Sequence, residues 1–217
     1  SANGSEDASL YVMDTQTLQD IDAPISRTPE STCWLPDNQS FFYHRLQELI
    51  EGMAATERNQ NSQTHWHRLG TSLEQDRVVL QHGIAPLENV SSIGWPCITD
   101  VSSGYAIAVI FNGTQLNIDA YVSTIDSLSQ NTSKWIKICD AADEVRSFTA
   151  HGADLYLRTS KNAARFKIIK TSLTKPELAA AKTVLAESDS IIQDLFAAND
   201  ALYAITTENG IGKLTRI

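Results

Sequence analysis

Apolar and polar residues alternate in short blocks along residues 32–81, and turn-forming residues separate the blocks. The pattern predicts four strands, at Thr32–Leu35, Ser40–Arg45, Gln63–Leu69 and Arg77–Gln81. The first two are joined by Pro36-Asp37-Asn38-Gln39, residue types that favour a tight turn. Four short strands in succession are typical of one blade of a β-propeller, which is a four-stranded antiparallel sheet.

The first half of this unit recurs along the chain. Its copies are Thr32–Arg45, Ile93–Phe111, Arg146–Thr159 and Ile192–Thr207. Equivalent positions in successive copies are 64, 50 and 47 residues apart, and a propeller blade takes roughly 40–50 residues. The polar segment 46–62 accounts for the longer first interval. The sequence therefore predicts an all-β fold, a β-propeller portion with about four four-stranded antiparallel blades.

The remaining apolar blocks complete these blades. Further strands are predicted at Leu10–Met13, Leu18–Ile21, Ala120–Ile125, Trp135–Ile138, Arg165–Thr171, Lys182–Ala186 and Ile211–Ile217. The continuous apolar run Ala106–Ile110 indicates a strand that is covered on both faces. Helical signals are limited to single turns at Gln47–Ala55 and Pro176–Lys182. We expect residues 1–9 to be a disordered or expression-derived tail and residues 10–217 to form one partial propeller domain.

Charge and composition restrict the partners and the compartment. The chain has 17 Lys and Arg against 26 Asp and Glu, a net charge of −9, which argues against nucleic acid and anionic membranes as partners. No apolar run approaches the roughly 20 residues that span a bilayer, and the N-terminus does not resemble a signal peptide. The three cysteines, Cys33, Cys97 and Cys139, are interpreted as buried thiols in a reducing compartment. A cytoplasmic location is expected, with the periplasm as the alternative.

Catalytic motifs are missing from the sequence itself. It contains no G-x-S-x-G, the turn that carries the nucleophile of an α/β-hydrolase, so no catalytic residue is predicted. His65 and His67 lie on one face of a strand and could ligate a metal, but a solvent-facing pair is favoured, and no metal or other cofactor is expected. Trp34, Trp66, Trp95 and Trp135 are interpreted as packing between blades. Asp76-Arg77 is interpreted as a structural ion pair or cap.

Three segments together resemble one family of peptidases. They are Tyr11–Asp14 (YVMD), residues 32–81 with Trp-Leu-Pro-Asp, Phe-Phe-Tyr and His-Arg-Leu-Gly-Thr, and Asp154–Ser172. Their wording and order resemble the propeller of prolyl oligopeptidase-type (S9 family) serine peptidases. Ala164 and Lys167 depart from the proline and arginine usual in that family, which indicates a divergent member. In the family, a seven-bladed, non-catalytic propeller caps an α/β-hydrolase domain and excludes large folded substrates, so that short peptides are cut after proline.

The resemblance implies that this chain is a middle-to-late portion of such a cap. Its expected partners are the hydrolase domain of the parent protein and short peptides, and the chain is expected to be inactive alone. By analogy, Thr114 and Trp95 are expected to face the substrate. The alternative is a non-enzymatic propeller that serves as a protein-interaction module, and a lectin-like propeller is a weaker third hypothesis. Because a partial ring leaves blades uncovered, we expect a homodimer through open blade edges, or closure into a smaller ring.

Overall fold

The computed structural model describes residues 8–29, 32–132 and 134–217. The first two strands of the described residues form a short hairpin, in which β1 (Ser9–Leu10) pairs with β2 (Ile25–Ser26). Between them, Met13 and Asp20 form an isolated antiparallel bridge, close to the second strand predicted in this region. Most of the predicted tail, residues 1–7, lies outside the described residues, whereas Ser9 belongs to β1.

The first four-stranded sheet has the strand order β3-β4-β5-β6. Its strands are β3 (Cys33–Trp34), β4 (Ser40–Arg45), β5 (Gln63–Arg68) and β6 (Arg77–Gln81). All four predicted strands are present, and two of them are shorter by one or two residues. The turn between β3 and β4 forms because Asp37 Oδ1 accepts hydrogen bonds from the amides of Gln39 and Ser40, each at 2.9 Å.

Three further sheets follow the same meandering order. The second contains β7 (Trp95–Ser102), β8 (Tyr105–Phe111), β9 (Asp119–Thr124) and β10 (Ile136–Cys139). The third contains β11 (Val145–His151), β12 (Asp154–Thr159), β13 (Lys167–Ser172) and β14 (Lys182–Leu185). The last contains β15 (Ile191–Ala197), β16 (Leu202–Glu208) and β17 (Ile211–Arg216). The four copies of the predicted two-strand unit therefore each open one sheet, and the buried run Ala106–Ile110 in β8 confirms the expected coverage of both faces.

The helical segments among the described residues are short. The α-helix α1 (Ile125–Ser129) follows β9, and 3₁₀ turns occupy Ala55–Asn59, Leu73–Gln75, Ala141–Asp143 and Leu178–Ala180. The turn predicted in Pro176–Lys182 is confirmed. The turn predicted at Gln47–Ala55 forms a few residues later, where Glu57 Oε1 accepts from the amide of Ala54 at 3.0 Å. Helix α1 was not predicted, and its first turn is capped by Thr124 Oγ1, which accepts from the amide of Ser127.

The contacts within the chain divide it into two compact units. The first contains the chain up to Val101 together with Ala106–Gly113 and Ser123–Lys134, and the second contains Ser102–Tyr105, Thr114–Val122 and Trp135–Ile217. The first unit has a core of Ile25, Phe41 and Tyr43, on which Leu10, Val12, Leu69 and Leu73 pack. The second has a core of Ile168, Ile192, Leu195, Leu202 and Ala204. Over the described ranges, no helix is long and apolar enough to cross a membrane.

Candidate functional site

A groove in the first unit surrounds Trp95, the first residue of β7. The groove has a volume of about 550 Å³ and is lined by Asn59, Ile93, Trp95, Phe111 and Gly113. The apolar side chains on its walls are open to solvent, since Ile93 is 55% exposed and Phe111 is 43% exposed. Open apolar and aromatic walls with a few polar groups are typical of sites that bind small ligands or peptides.

Two contacts hold the Trp95 indole in place. Its Nε1 donates a hydrogen bond to the carbonyl oxygen of Asn59 at 3.3 Å. Its ring stacks on the imidazole of His44, with the centroids 5.1 Å apart and the planes 29° apart. Asn59 closes the 3₁₀ turn that ends the polar insertion, so this insertion contributes one wall of the groove.

His44 is buried beneath Trp95 and has unusual surroundings. Neither ring nitrogen has a hydrogen-bond partner in the described part of the chain. Burial lowers the pKa of His44 to about 4, and the neighbouring His65 acts in the same direction. The imidazole is therefore neutral at pH 7, and Trp95 rests on an uncharged aromatic ring.

The backbone beside Trp95 packs closely against β8. A Cβ placed on Gly94 would lie 2.8 Å from Asn112 Oδ1, 2.9 Å from Val90 Cγ1 and 3.0 Å from Ile110 Cγ2. These separations are shorter than normal van der Waals contacts, so only glycine fits without movement of its neighbours. Gly94 thus fixes the position from which Trp95 enters the groove.

The two residues expected to face the substrate are placed as follows. Trp95 is half-buried and forms the centre of the groove. Thr114 is exposed, and it lies in the turn after β8, directly following Gly113 in the chain. The groove was not recognised from the sequence as a whole, because Asn59, Ile93 and Phe111 share no motif and meet only through folding.

The expectation that the tryptophans pack in the interior is only partly correct. Trp34 is 43% exposed and leans against Phe41 at a centroid distance of 5.0 Å. Trp66 is half-buried, with an edge-on contact to Phe42 and the Arg77 guanidinium 4.8 Å above its ring. Trp95 and Trp135 are also half-buried.

A buried polar network lies on the opposite face of the first sheet. His67, which is 1% exposed, has its Nδ1 2.7 Å from Asp76 Oδ1. The second oxygen of Asp76 accepts a hydrogen bond from the Tyr43 hydroxyl at 2.7 Å. His67 Nε2 faces Asp22 Oδ2 at 3.4 Å, and the same carboxylate accepts from the amide of Gly70. The network ties the loop between β1 and β2, through Asp22, to strands β4 and β5.

The interpretation of His65 and His67 as a solvent-facing pair is wrong. His67 is fully buried and His65 is half-buried, because the register places Phe41 opposite His67 and Tyr43 opposite His65. His65 stacks on Tyr43 at 5.2 Å with the planes 17° apart. Within the described ranges, no three His, Cys, Asp or Glu side chains are arranged to hold a metal ion.

The His67–Asp76 pair has the geometry of a base and its orienting carboxylate, but it has no nucleophile. In the part of the chain that the structure describes, His67 has only Asp76 and Asp22 as hydrogen-bond partners. General-base catalysis needs one ring nitrogen directed at the group to be activated. Both nitrogens of His67 face carboxylates inside the protein, so the pair stabilises the fold.

Asp76 and Arg77 have structural roles, and of the two alternatives predicted, an ion pair or a cap, the structure shows a cap. Asp76 bonds to His67 and Tyr43, while Arg77 Nη1 donates to the carbonyl oxygens of Leu128, at 3.1 Å, and Ser129. Arg77 thus caps the carboxyl end of α1, which favours a positive charge. No ion pair between Asp76 and Arg77 is present.

The three cysteines are free thiols, as predicted. Cys97 and Cys139 are buried, and Cys33 is half-buried. Burial raises the pKa of Cys33 to about 11 and that of Cys139 to about 12. Both thiols therefore stay protonated and unreactive at neutral pH.

The chain was compared with protein families, with characterised relatives and with solved structures. The family model for the prolyl oligopeptidase N-terminal β-propeller domain matches residues 1–217. Prolyl oligopeptidase A from Galerina marginata is 23% identical over 232 residues, a match that covers 97% of this chain and 30% of the relative. Prolyl endopeptidase from Elizabethkingia meningoseptica is 25% identical over 195 residues, covering 89% of this chain and 26% of the relative.

Solved structures show the same fold. Prolyl oligopeptidase B from Galerina marginata, bound to a 25mer macrocyclization substrate, matches with a TM-score of 0.80 and 19% identity, over 98% of this chain and 31% of that protein. A prolyl endopeptidase structure from a study of inter-domain dynamics also matches with a TM-score of 0.80, over 99% of this chain and 30% of that protein. The chain thus spans about 30% of the length of these relatives. The family match over residues 1–217, together with the successive antiparallel sheets, shows that this chain belongs to the prolyl oligopeptidase N-terminal β-propeller family.

Proposed function

We propose that this chain is the gating and substrate-filtering portion of a prolyl oligopeptidase-like serine peptidase that hydrolyses short peptides. The match of the family model to residues 1–217 carries the proposal. The sequence has no nucleophile motif, so the chemistry is assigned to a hydrolase domain in a longer parent protein. The propeller contributes to catalysis by deciding which peptides reach that domain and by excluding water after closure.

The groove around Trp95 supports a role in handling peptides. Its walls are the indole of Trp95 and the exposed side chains of Ile93 and Phe111. Aromatic-lined grooves bind proline-rich segments well, because the rigid proline ring packs on a flat aromatic face at a small entropic cost. Thr114, in the turn after β8, is also proposed to face the substrate.

The alternative is a non-enzymatic propeller that binds other proteins. The exposed apolar groove would serve that role equally well, since fold alone does not decide function. A G-x-S-x-G sequence downstream of Ile217 in the parent gene would favour the peptidase, because that motif carries the nucleophile of an α/β-hydrolase.

The test uses the longer parent protein with Phe111→Ala in the groove. Phe196→Ala is the matched control, because Phe196 is an equally exposed strand aromatic, 40% exposed, in the second unit. We expect the parent to cleave a short proline-containing peptide and the 217-residue chain alone to be inactive. Loss of one aromatic contact of about 1–2 kcal/mol should lower kcat/KM about 5–30-fold in Phe111→Ala and leave Phe196→Ala close to the parent.

Three results would contradict the proposal. A parent without hydrolytic activity that nevertheless captures proline-containing peptides would support the interaction module. Equal cleavage of a short peptide and of the same sequence within a folded protein would exclude filtering. Equal kcat/KM for the two phenylalanine variants would show that the substrate does not contact the groove.

A further inference from the structure

A second concavity in the first unit differs from the groove in its charge. It has a volume of about 320 Å³ and is lined by Leu46 and by polar side chains, Arg27, Arg45, Gln47, Glu48, Asn61, Gln63 and His65. We refer to these seven polar residues as the arginine pocket. Two guanidinium groups in one small pocket are unexpected in a chain whose net charge is −9.

Arg27 is held in place by the backbone of the facing segment. Its carbonyl oxygen accepts from the amide of Leu46 at 2.8 Å, and its Nη1 donates to the Leu46 carbonyl oxygen at 2.9 Å. Its Nη2 donates to Glu48 Oε2 at 3.2 Å. The Glu48 side chain is 75% exposed, so this ion pair contributes little and can rearrange. The guanidinium is therefore pre-positioned while its charge is only weakly compensated.

Arg45 and His65 have unfilled hydrogen-bonding capacity. Arg45 ends β4, and its buried Nε has no acceptor among the described residues. No carboxylate in the described part of the chain forms an ion pair with it. His65 Nε2 lies 3.1 Å from Gln63 Oε1, while its buried Nδ1 has no described partner. Buried polar groups are normally paired, so these two atoms are available to hydrogen-bond a ligand that enters the pocket.

The charges around the pocket repel one another. Burial lowers the pKa of Arg27, and the charge of Arg45 lowers it further, with Glu48 opposing both. Burial lowers the pKa of His65 to about 4, the two arginines act in the same direction and Asp76 opposes them. Asp76 already bonds to His67 and Tyr43. With His65 neutral, the side chains that line the pocket, two arginines and one glutamate, carry a net charge of +1, and Asp76 is not among them.

We infer that the arginine pocket is a binding site for a carboxylate carried by a peptide or another small molecule. Guanidinium groups present a planar fork of donors that matches the two oxygens of a carboxylate. The side-chain amides of Gln47 and Asn61 are paired with each other at 3.0 Å, and they complete a polar rim. A single negative charge balances the pocket, whereas a phosphate dianion would overcompensate it. The inference is independent of the proposed gating function, because binding is measured directly.

The probe is N-acetylglycine, which ends in a carboxylate, and its control is N-acetylglycinamide, which has the same skeleton without the charge. Binding to the 217-residue chain is followed by amide chemical shifts in ¹H–¹⁵N NMR spectra, with inorganic phosphate as a third ligand. We expect saturable, millimolar binding of N-acetylglycine that shifts the amides of Arg27, Arg45 and Gln63. The neutral amide should cause no saturable shift, because charge-assisted hydrogen bonds supply the affinity.

Matched variants locate the site. Arg45→Met should weaken N-acetylglycine binding about tenfold or more, which corresponds to the loss of about 1.4 kcal/mol. The affinity of Arg45→Lys should lie between those of the wild type and Arg45→Met, since lysine keeps the charge but lacks the planar pair of guanidinium donors. Arg68→Met is the control, because Arg68 is an exposed arginine of β5 outside the pocket that contacts Gln39. Should Arg45→Met fail to fold, Arg27→Met tests the same prediction.

Specific results would overturn the inference. One is equal binding of the acid and the amide. A second is equal weakening by Arg45→Met and Arg68→Met. A third is saturable binding of phosphate without binding of N-acetylglycine, which would exclude a carboxylate site.

Discussion

At the scale of single residues, His44 shows how burial sets the chemistry of the groove. The imidazole supports Trp95 at 5.1 Å and has no described hydrogen-bond partner. The low pKa of about 4 means that the folded protein resists protonating this ring, whereas the unfolded chain protonates it near the ordinary value of 6.5. Between these two values the unfolded state binds more protons, so the free energy of unfolding falls as the pH falls.

We expect His44→Phe to remove much of this pH dependence. Between pH 7 and pH 5, protonation of His44 in the unfolded chain should lower the unfolding free energy of the wild type by about 2 kcal/mol. Phenylalanine does not titrate and can stack on Trp95 in the same way, so the variant should lose less stability over this interval. At pH 7 it should be as stable as the wild type, because no hydrogen bond is lost. Urea unfolding at the two pH values measures the difference.

His151→Phe is the control for that experiment, because His151 is exposed at the end of β11. Its pH dependence should match that of the wild type. His65 contributes a similar, separate slope, since burial also lowers its pKa to about 4, and His44→Phe should retain that part. An unchanged slope in His44→Phe would show that the His44 imidazole does not take up a proton on unfolding.

Residue contacts were the least predictable part of the molecule. The pattern of residues 63–69 places His65 and His67 on one face of a strand, and it does so correctly. It carries no information on what covers that face, because Asp22 is 45 positions from His67 in the sequence. The role of Asp76 likewise depends on Tyr43 in another strand. Buried polar networks depend on contacts between residues that are distant along the chain, and local patterns do not report them.

At the scale of elements, the hairpins could be predicted because their turns are encoded locally. Asn209-Gly210 joins β16 to β17, with both residues at positive φ, 48° and 79°. This geometry matches the twist of antiparallel strands and favours Asn-Gly. Helix α1 was missed because its five residues, IDSLS, have no apolar periodicity. Two contacts stabilise it instead. Thr124 caps its first turn, and Arg77 donates hydrogen bonds to its last carbonyl oxygens.

Gly94 holds the start of β7, and with it Trp95, close to β8. We expect Gly94→Ala to destabilise the protein by about 1–3 kcal/mol. The added methyl would lie 2.9 Å from Val90 Cγ1 and 2.8 Å from Asn112 Oδ1, so the start of β7 must move away from β8. The midpoint of urea unfolding should fall while its slope stays the same, since the unfolded surface does not change.

Gly212→Ala is the matched control. Gly212 also lies in a strand, but nothing lies within 4 Å of its potential Cβ, and its φ is not in the left-handed region. The substitution should change stability by less than about 0.5 kcal/mol. Equal unfolding midpoints for the two glycine variants would show that the close packing at Gly94 is not a constraint.

At the scale of the whole molecule, the family was recognisable because its characteristic strand and turn residues occur in the same order along the sequence. Trp-Leu-Pro-Asp begins at the end of β3, the aromatic residues lie in β4, and His-Arg-Leu-Gly-Thr begins at the end of β5, in the expected order. The division into two compact units was not predicted, because repeat spacing describes sheets and not how contacts are distributed among them.

The last sheet carries the prediction of self-association. Its strand order is β15-β16-β17, which leaves β17 at the edge, and all six residues of β17 are exposed. Ile211 and Leu214 are 65% and 62% exposed, and Ile205 lies directly opposite Leu214 on β16. An exposed edge strand with apolar side chains pairs readily with another chain.

We therefore expect the 217-residue chain to form a concentration-dependent dimer, and Leu214→Lys to shift it to the monomer. A lysine at the centre of the edge interrupts the apolar patch and repels its counterpart in a second copy. Leu116→Lys is the control, because Leu116 is equally exposed, at 68%, and lies outside the strands. Sedimentation velocity at several concentrations separates the outcomes. A wild type that stays monomeric throughout, or a dimer that both variants leave intact, would show that β17 does not mediate association.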